Sequence, residues 1–338
     1  MSNVSHDELL IELLNNISTQ FNRYLSILIF MFGIVGNILN ILVLSQRSYR
    51  SNSCAWLFLV LSIVNLVSLI SGLTTIMIGG WVTNPTDYIG VLCKIRAFSV
   101  FSTRTIAMWL TVLATTDRWL LSNMNAHRRQ QSSLKNAQFW TVIIVILSVA
   151  LYAQQLYCYE ANMMDTPLKC YGKTVACRYL TDISISLVTV SIPIFLMILF
   201  GSLIISNVRQ SQRRIRALQL GSAAATVNRP VASNSEYSVG KFRQKTDHSL
   251  LRMLFSQVML LGIFTLPLCL DKFYSSFSGD NGSPLVLATN AFVYDVAILV
   301  YDISNGITFY VYTLCGGTVF RKALYDFIMS AKLKMGCH

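Results

Sequence analysis

A chain of 338 residues that is 54% hydrophobic and only 12% charged lacks the charged quarter of ordinary soluble domains, which excludes a soluble enzyme or cytosolic binding module. Its 27 Lys and Arg against 15 Asp and Glu give a formal net charge of +12. The surplus lies between apolar runs, so it reads as a basic face toward anionic lipid and a partner protein, not as a nucleic-acid footprint.

Residues 1–20 are polar, with Asp7, Glu8 and Glu12. They hold no basic-then-apolar signal peptide, so the first apolar run is expected to serve as the signal anchor. Charge-free runs long enough to cross a hydrocarbon core of ~30 Å occur at 24–46, 51–86, 136–159, 183–208, 253–270 and 303–320. Residues 93–119 add a seventh despite Arg96 and Arg104: as a helix, the steps from Cys93 to Arg118 rise about 37 Å. The expectation is an all-α membrane protein with a seven-helix bundle over 22–317. An extracellular N-terminus (1–21) precedes it, and 318–338 follow as a short amphipathic helix and cytoplasmic tail.

Most basic residues, among them Arg47, Arg128, Arg129, Arg213, Arg214, Arg216, Lys241, Arg243, Arg321 and Lys322, follow helices one, three, five and seven. Those segments are therefore expected to be cytoplasmic. The N-x-[ST] sequons at Asn3, Asn16 and Asn281 fall on the other side and are the expected glycosylation sites of a plasma-membrane protein with its N-terminus outside.

In chain order, helix one carries Gly36-Asn37, helix two Asn65, and helix three runs from Cys93 to Thr116-Asp117-Arg118-Trp119. Helix four is marked by Trp140, and the outer loop after it holds Cys158, Cys170 and Cys177. With Cys93 these make four cysteines in an oxidising compartment, which allow three pairings. Helix five contains Pro193, which removes a backbone bond and lets the helix bulge. Residues 210–247 are basic and Ser/Ala-rich, expected to be a flexible third inner loop apart from helical extensions at its ends. Helix six contains Pro267 with Thr265 two residues before it, and helix seven contains Asn305 and Thr308-Phe309-x-x-Tyr312. Beyond it, Phe320, Leu324, Phe327 and Ile328 against Arg321, Lys322, Lys332 and Lys334 read as an interfacial amphipathic helix, with Cys337 a palmitoylation candidate.

A cysteine and an Asp-Arg-aromatic triplet at opposite ends of one span resemble the third helix of rhodopsin-like (class A) G-protein-coupled receptors. The resemblance extends over most of 22–330 through Gly36-Asn37, Trp140, Pro193, Pro267 and Phe320-Arg321. It implies that Asp117, Arg118 and Trp119 meet a heterotrimeric G protein. It also implies that Asn37, Asn65, Pro193, Pro267, Asn305 and Tyr312 form the activation switch. A tie from Cys93 to the outer loop is implied as well; Cys93–Cys177 is favoured, with Cys158–Cys170 as a hairpin bridge, and Cys93–Cys170 is the open alternative. Asn65 stands where the family usually has Asp, so little sodium sensitivity is expected. Thr265 replaces the usual helix-six aromatic, so another residue must report ligand contact. Thr308-Phe309 replaces Asn-Pro, a loss shared by some invertebrate receptors for FMRFamide-like peptides, which the first inner loop also resembles.

Within helix three, 100° per residue puts Arg96, Arg104 and Arg118 within about 40° of one face. Arg104 falls near the bilayer midplane, where an ionised arginine should have a partner. Asp295 and Asp302 share a face of helix seven, and the spacings match two pairs: Arg104 with Asp302 and Arg96 with Asp295. These four with Val100 form the expected ligand pocket. The pairs are either structural ties between helices or charges for which ligand competes.

A transporter would show inverted repeats or paired broken helices, and the seven runs show neither. An enzyme or metal site would show a spacing such as H-E-x-x-H or G-x-S-x-G; none occurs, so neither cofactor nor metal is expected. No lysine lies between 273 and 321, which excludes a retinal pigment of the resembled family. Val100 stands where its amine receptors carry Asp. The reading is a receptor for an extracellular ligand, best a neuropeptide. Asp7, Glu8, Glu12, Glu160, Asp165, Asp182, Asp271 and Asp280 would attract a basic one. The runner-up is a constitutively active or non-peptide receptor-like protein, and after it a membrane transporter.

Overall fold

The computed structural model describes residues 2–46, 49, 51–163, 169–222, 234–278, 283–315, 320–322, 324–327 and 329. Seven helices among them are long and apolar enough to cross a membrane. They are helix one (His6–Leu44), helix two (Ser53–Trp81), helix three (Gly90–Ser122), helix four (Leu134–Cys158), helix five (Val175–Ser211), helix six (Ser249–Tyr274) and helix seven (Pro284–Gly306). Together they form an all-α seven-helix bundle. Arg47, Asp165, Asp280, Asn281, Ile328, Lys332, Lys334, Cys337 and 223–233 lie outside the described residues, as do the side chains of Asn3, Arg214, Arg216, Lys241 and Arg243.

Helix three is the most buried of the seven, the place where its arginines can be paired rather than face lipid. Helix four sits at the edge: Phe139, Trp140, Ile146 and Leu147 are at least half exposed, as suits side chains solvated by hydrocarbon. Helices one and seven approach closely because glycine lets them. A Cβ at Gly33 would lie 3.2 Å from the Gly306 Cα, and one at Gly36 would lie 3.1 Å from the Phe309 Cβ. Small residues at such crossings bring backbones together where lipid supplies no hydrophobic drive.

Two span limits differ from the charge-free windows. The polar segment Ser2–Gln20 is itself helical and runs through a π turn at Phe21–Leu25 into Ser26–Leu44. Helix seven begins at Pro284, not at 303, and resumes as Thr308–Cys315 after a break at Ile307. The charge-free window missed its first half because Asp295 and Asp302 lie inside it. In helix five, π turns over Ser184–Ser191 come directly ahead of Pro193. Helix five continues to Ser222, and the helix containing Pro267 starts at Asn234.

Candidate functional site

A cavity of about 660 Å³ opens at the Cys93 end of the bundle, walled by helices one, two, three and seven and by the loop after helix four. In that loop, β1 (Tyr159–Glu160) pairs antiparallel with β2 (Tyr171–Gly172). The lining includes Arg96, Val100, Arg104 and Asp295, together with Arg23, Asp87, Lys169, Tyr159 and Tyr294. Of the acidic outer groups expected to attract a basic ligand, none of those among the described residues lines it.

Of the five expected pocket residues Asp302 alone does not line the cavity; it sits behind the floor, where Arg104 Nη2 lies 3.3 Å from Asp302 Oδ1. The guanidinium also sits over the Tyr301 ring, 4.6 Å from its centroid. Arg104 is 8% exposed and Asp302 1%, so this is a buried pair, which is costly to break by removing one partner. The contact uses one nitrogen and one oxygen; Arg104 Nε and Asp302 Oδ2 have no hydrogen bond.

The second expected pair is not formed. Asp295 accepts instead from Ser18 Oγ and from Asn22 Nδ2 at 3.2 Å, because the helical N-terminal segment packs on helix seven and delivers those groups first. Arg96 lines the cavity and makes no hydrogen bond or ion pair among the described residues. At the rim, burial pushes the Asp87 carboxyl above its usual range, opposed by Arg96 and Lys169 nearby. A hydrogen bond to the Tyr88 hydroxyl at 2.9 Å holds the Lys169 ammonium above its usual value.

The loop is tied twice, and the favoured pairing is corrected: the bonds are Cys93–Cys170 and Cys158–Cys177. Hairpin register explains why Cys158 and Cys170 do not join. Lys173 N donates to Cys158 O and Glu160 pairs with Tyr171, so the two cysteines sit at opposite ends of the ladder. Three steps at roughly 3.3 Å put them beyond the ~7 Å Cα limit of a disulfide.

Sequence reading missed a second buried charge pair. Lys272 Nζ, on helix six, lies 3.4 Å from Asp182 Oδ1 on helix five and 4.5 Å from the Tyr294 ring centroid. The available signal was a lysine two residues past the apolar run of helix six, too deep to be left solvated. It also missed the link among helices three, four and five, where Thr189 Oγ1 is 2.6 Å from both Thr105 Oγ1 and Tyr152 Oη.

At the opposite end Asp117 gathers three elements. It accepts from Ser53 Oγ at 2.8 Å and Ser132 Oγ at 2.5 Å, and pairs with Arg118 Nη2 at 3.3 Å. Arg118 Nη2 also donates to Asn52 Oδ1 at 3.0 Å; Asn52 is the N-cap of helix two. Trp119 packs on Phe200, and Arg128 lies over its ring. Between the two ends, Asn37 Nδ2 donates to Gly33 O and Asn305 O, tying helix one to helix seven. Asn65 and Asn305 line a small void of about 20 Å³ with Thr111 and Thr308, and no carboxylate faces it. Thr265 is buried and donates to Leu261 O. Tyr312 donates to Gln257 Oε1 and stacks near Phe58. Asn16 is exposed on the N-terminal helix.

The family model described as 7 transmembrane receptor (rhodopsin family) matches residues 36–305. No curated protein matches the chain.

Proposed function

The chain belongs to the rhodopsin family of seven-transmembrane receptors, and from that premise we propose that it binds an extracellular peptide and activates a heterotrimeric G protein through Arg118. Members of this family are signalling receptors of the plasma membrane and not enzymes. The observation that carries the reading is the buried Arg104–Asp302 pair, whose arginine lines the cavity. Whatever enters meets the Arg104 side of the contact joining helices three and seven, and so biases a two-state bundle.

In the quiet state Arg118 is held by Asp117 and Asn52. Activation frees it as helix six swings about Pro267, with Asn37, Asn65, Pro193, Asn305 and Tyr312 relaying the change. Asp117 and Trp119 complete the coupling surface. The N-terminus, with sugars on Asn3, Asn16 and Asn281, is outside. The tail from 318 lies on the inner leaflet. The absence of a carboxylate from the small interior void supports weak sodium dependence.

Support for a peptide comes from the walls of the cavity, where the N-terminal helix and the doubly bridged hairpin offer surface to a ligand longer than a small molecule. The test is a calcium and cyclic-AMP screen of the expressed receptor against a neuropeptide library. A peptide should give a saturable response that Arg118→Ala abolishes at equal surface expression. Silence to every peptide, with a response to a non-peptide, would overturn the reading.

A further inference from the structure

We propose that the ligand presents a carboxylate to this cavity and that Arg96 is its anchor; this rests on the reading that the cavity receives the extracellular ligand. The charges of the wall carry the argument. Its cations are Arg23, Arg96, Arg104 and Lys169, and three are already engaged. Arg23 donates to Gly80 O and lies over Trp81, Lys169 donates to Tyr88, and Arg104 pairs with Asp302. Arg96 is the exception, with no hydrogen bond or ion pair among the described residues.

The wall's own carboxylates do not fill that role. Asp295 accepts from Ser18 and Asn22, and Asp87 is near Arg96 without forming an ion pair; Asp302, behind the wall, accepts from Arg104. Arg96 is half-buried in the cavity wall, and a ligand anion would supply the counter-charge that the wall does not. Arginine's planar fork fits a carboxylate through two parallel hydrogen bonds. About 12 Å deeper along the same helix, Arg104 adds a second positive charge to the wall, although its guanidinium is already paired with Asp302. The wall thus favours a free-acid ligand over a basic or C-terminally amidated one. An amide keeps an acceptor but loses the charge, which should weaken binding about tenfold or more.

The test uses the full-length receptor in lipid nanodiscs, reading its thermal midpoint against three probes. These are N-acetyl-Phe-Leu-Phe as the free acid, the same tripeptide as its C-terminal amide, and octanoate as a non-peptide carboxylate. The free acid should raise the midpoint at a concentration about tenfold or more below that needed for the amide. Arg96→Ala should remove the difference, and Arg96→Lys should keep part of it; the unliganded midpoint of each variant checks folding. An Arg96-dependent shift with octanoate alone would sustain the carboxylate site and count against a peptide. Equal shifts by acid and amide, unaffected by Arg96→Ala, would sustain the peptide reading and overturn the carboxylate. No Arg96-dependent shift with either carboxylate also overturns it.

Discussion

The Tyr312 hydroxyl donates to the Gln257 side-chain oxygen, joining helix seven to helix six on the Arg118 side of the bundle. Both residues are buried, and the Tyr312 ring lies 4.8 Å from that of Phe58. In the proposed activation these two helices separate. Tyr312→Phe should therefore leave Gln257 unpaired at a cost of about 1–3 kcal/mol, lowering the thermal midpoint and raising basal signalling. Adding Gln257→Leu should recover stability, since replacing both partners by apolar groups is near neutral. Unchanged melting of the single variant would show that the bond contributes nothing.

The two disulfides predict a pattern. Cys93→Ala and Cys170→Ala should have equal effects, and the double change should be no worse than either. Cys158→Ala and Cys177→Ala should form a second matched pair. In the chain-entropy view the bond separated by 77 residues contributes more than the one separated by 19, about 4 against about 3 kcal/mol. Surface expression and non-reducing peptide mapping read both points; a Cys93–Cys177 peptide would refute the pairing.

Lys272 and Asp182 tie helices six and five at the cavity end of the bundle. Asp182→Asn should destabilise by up to about 3–5 kcal/mol, because it leaves a buried ammonium short of its counter-charge. Lys272→Met combined with Asp182→Leu should be milder than either change alone. A double-mutant cycle on the thermal midpoint that proves additive would show that the pair is not coupled.

The seven spans were legible because a bilayer demands long apolar runs, and family membership because short motifs stood at opposite ends of one run. Arg104 with Asp302 was legible for an energetic reason: a midplane arginine needs a counter-charge, and the matching aspartate lay at similar depth. The same spacing logic failed for Arg96 with Asp295. It compared two helices and had no view of the N-terminal segment, whose Ser18 and Asn22 reach Asp295 first. The disulfide pairing failed because four cysteines carry no register; only the hairpin, set by two backbone pairs, separates Cys158 from Cys170. Lys272 escaped notice because charge-free windows end where the interesting charge begins.

Arg104 and Asp302 form the contact proposed to keep the receptor quiet. Asp302→Asn leaves the guanidinium short of its counter-charge, at about 3–5 kcal/mol, and should raise basal G-protein signalling or cost surface expression. Arg104→Asp should do the same from the other side. The direct measurement is basal signalling per surface receptor for both single variants and for the exchange Arg104→Asp with Asp302→Arg. The exchange should restore part of what each single change loses, since the attraction survives reversal of the charges. Simple addition of the two single effects, with no recovery in the exchanged receptor, would contradict that proposal.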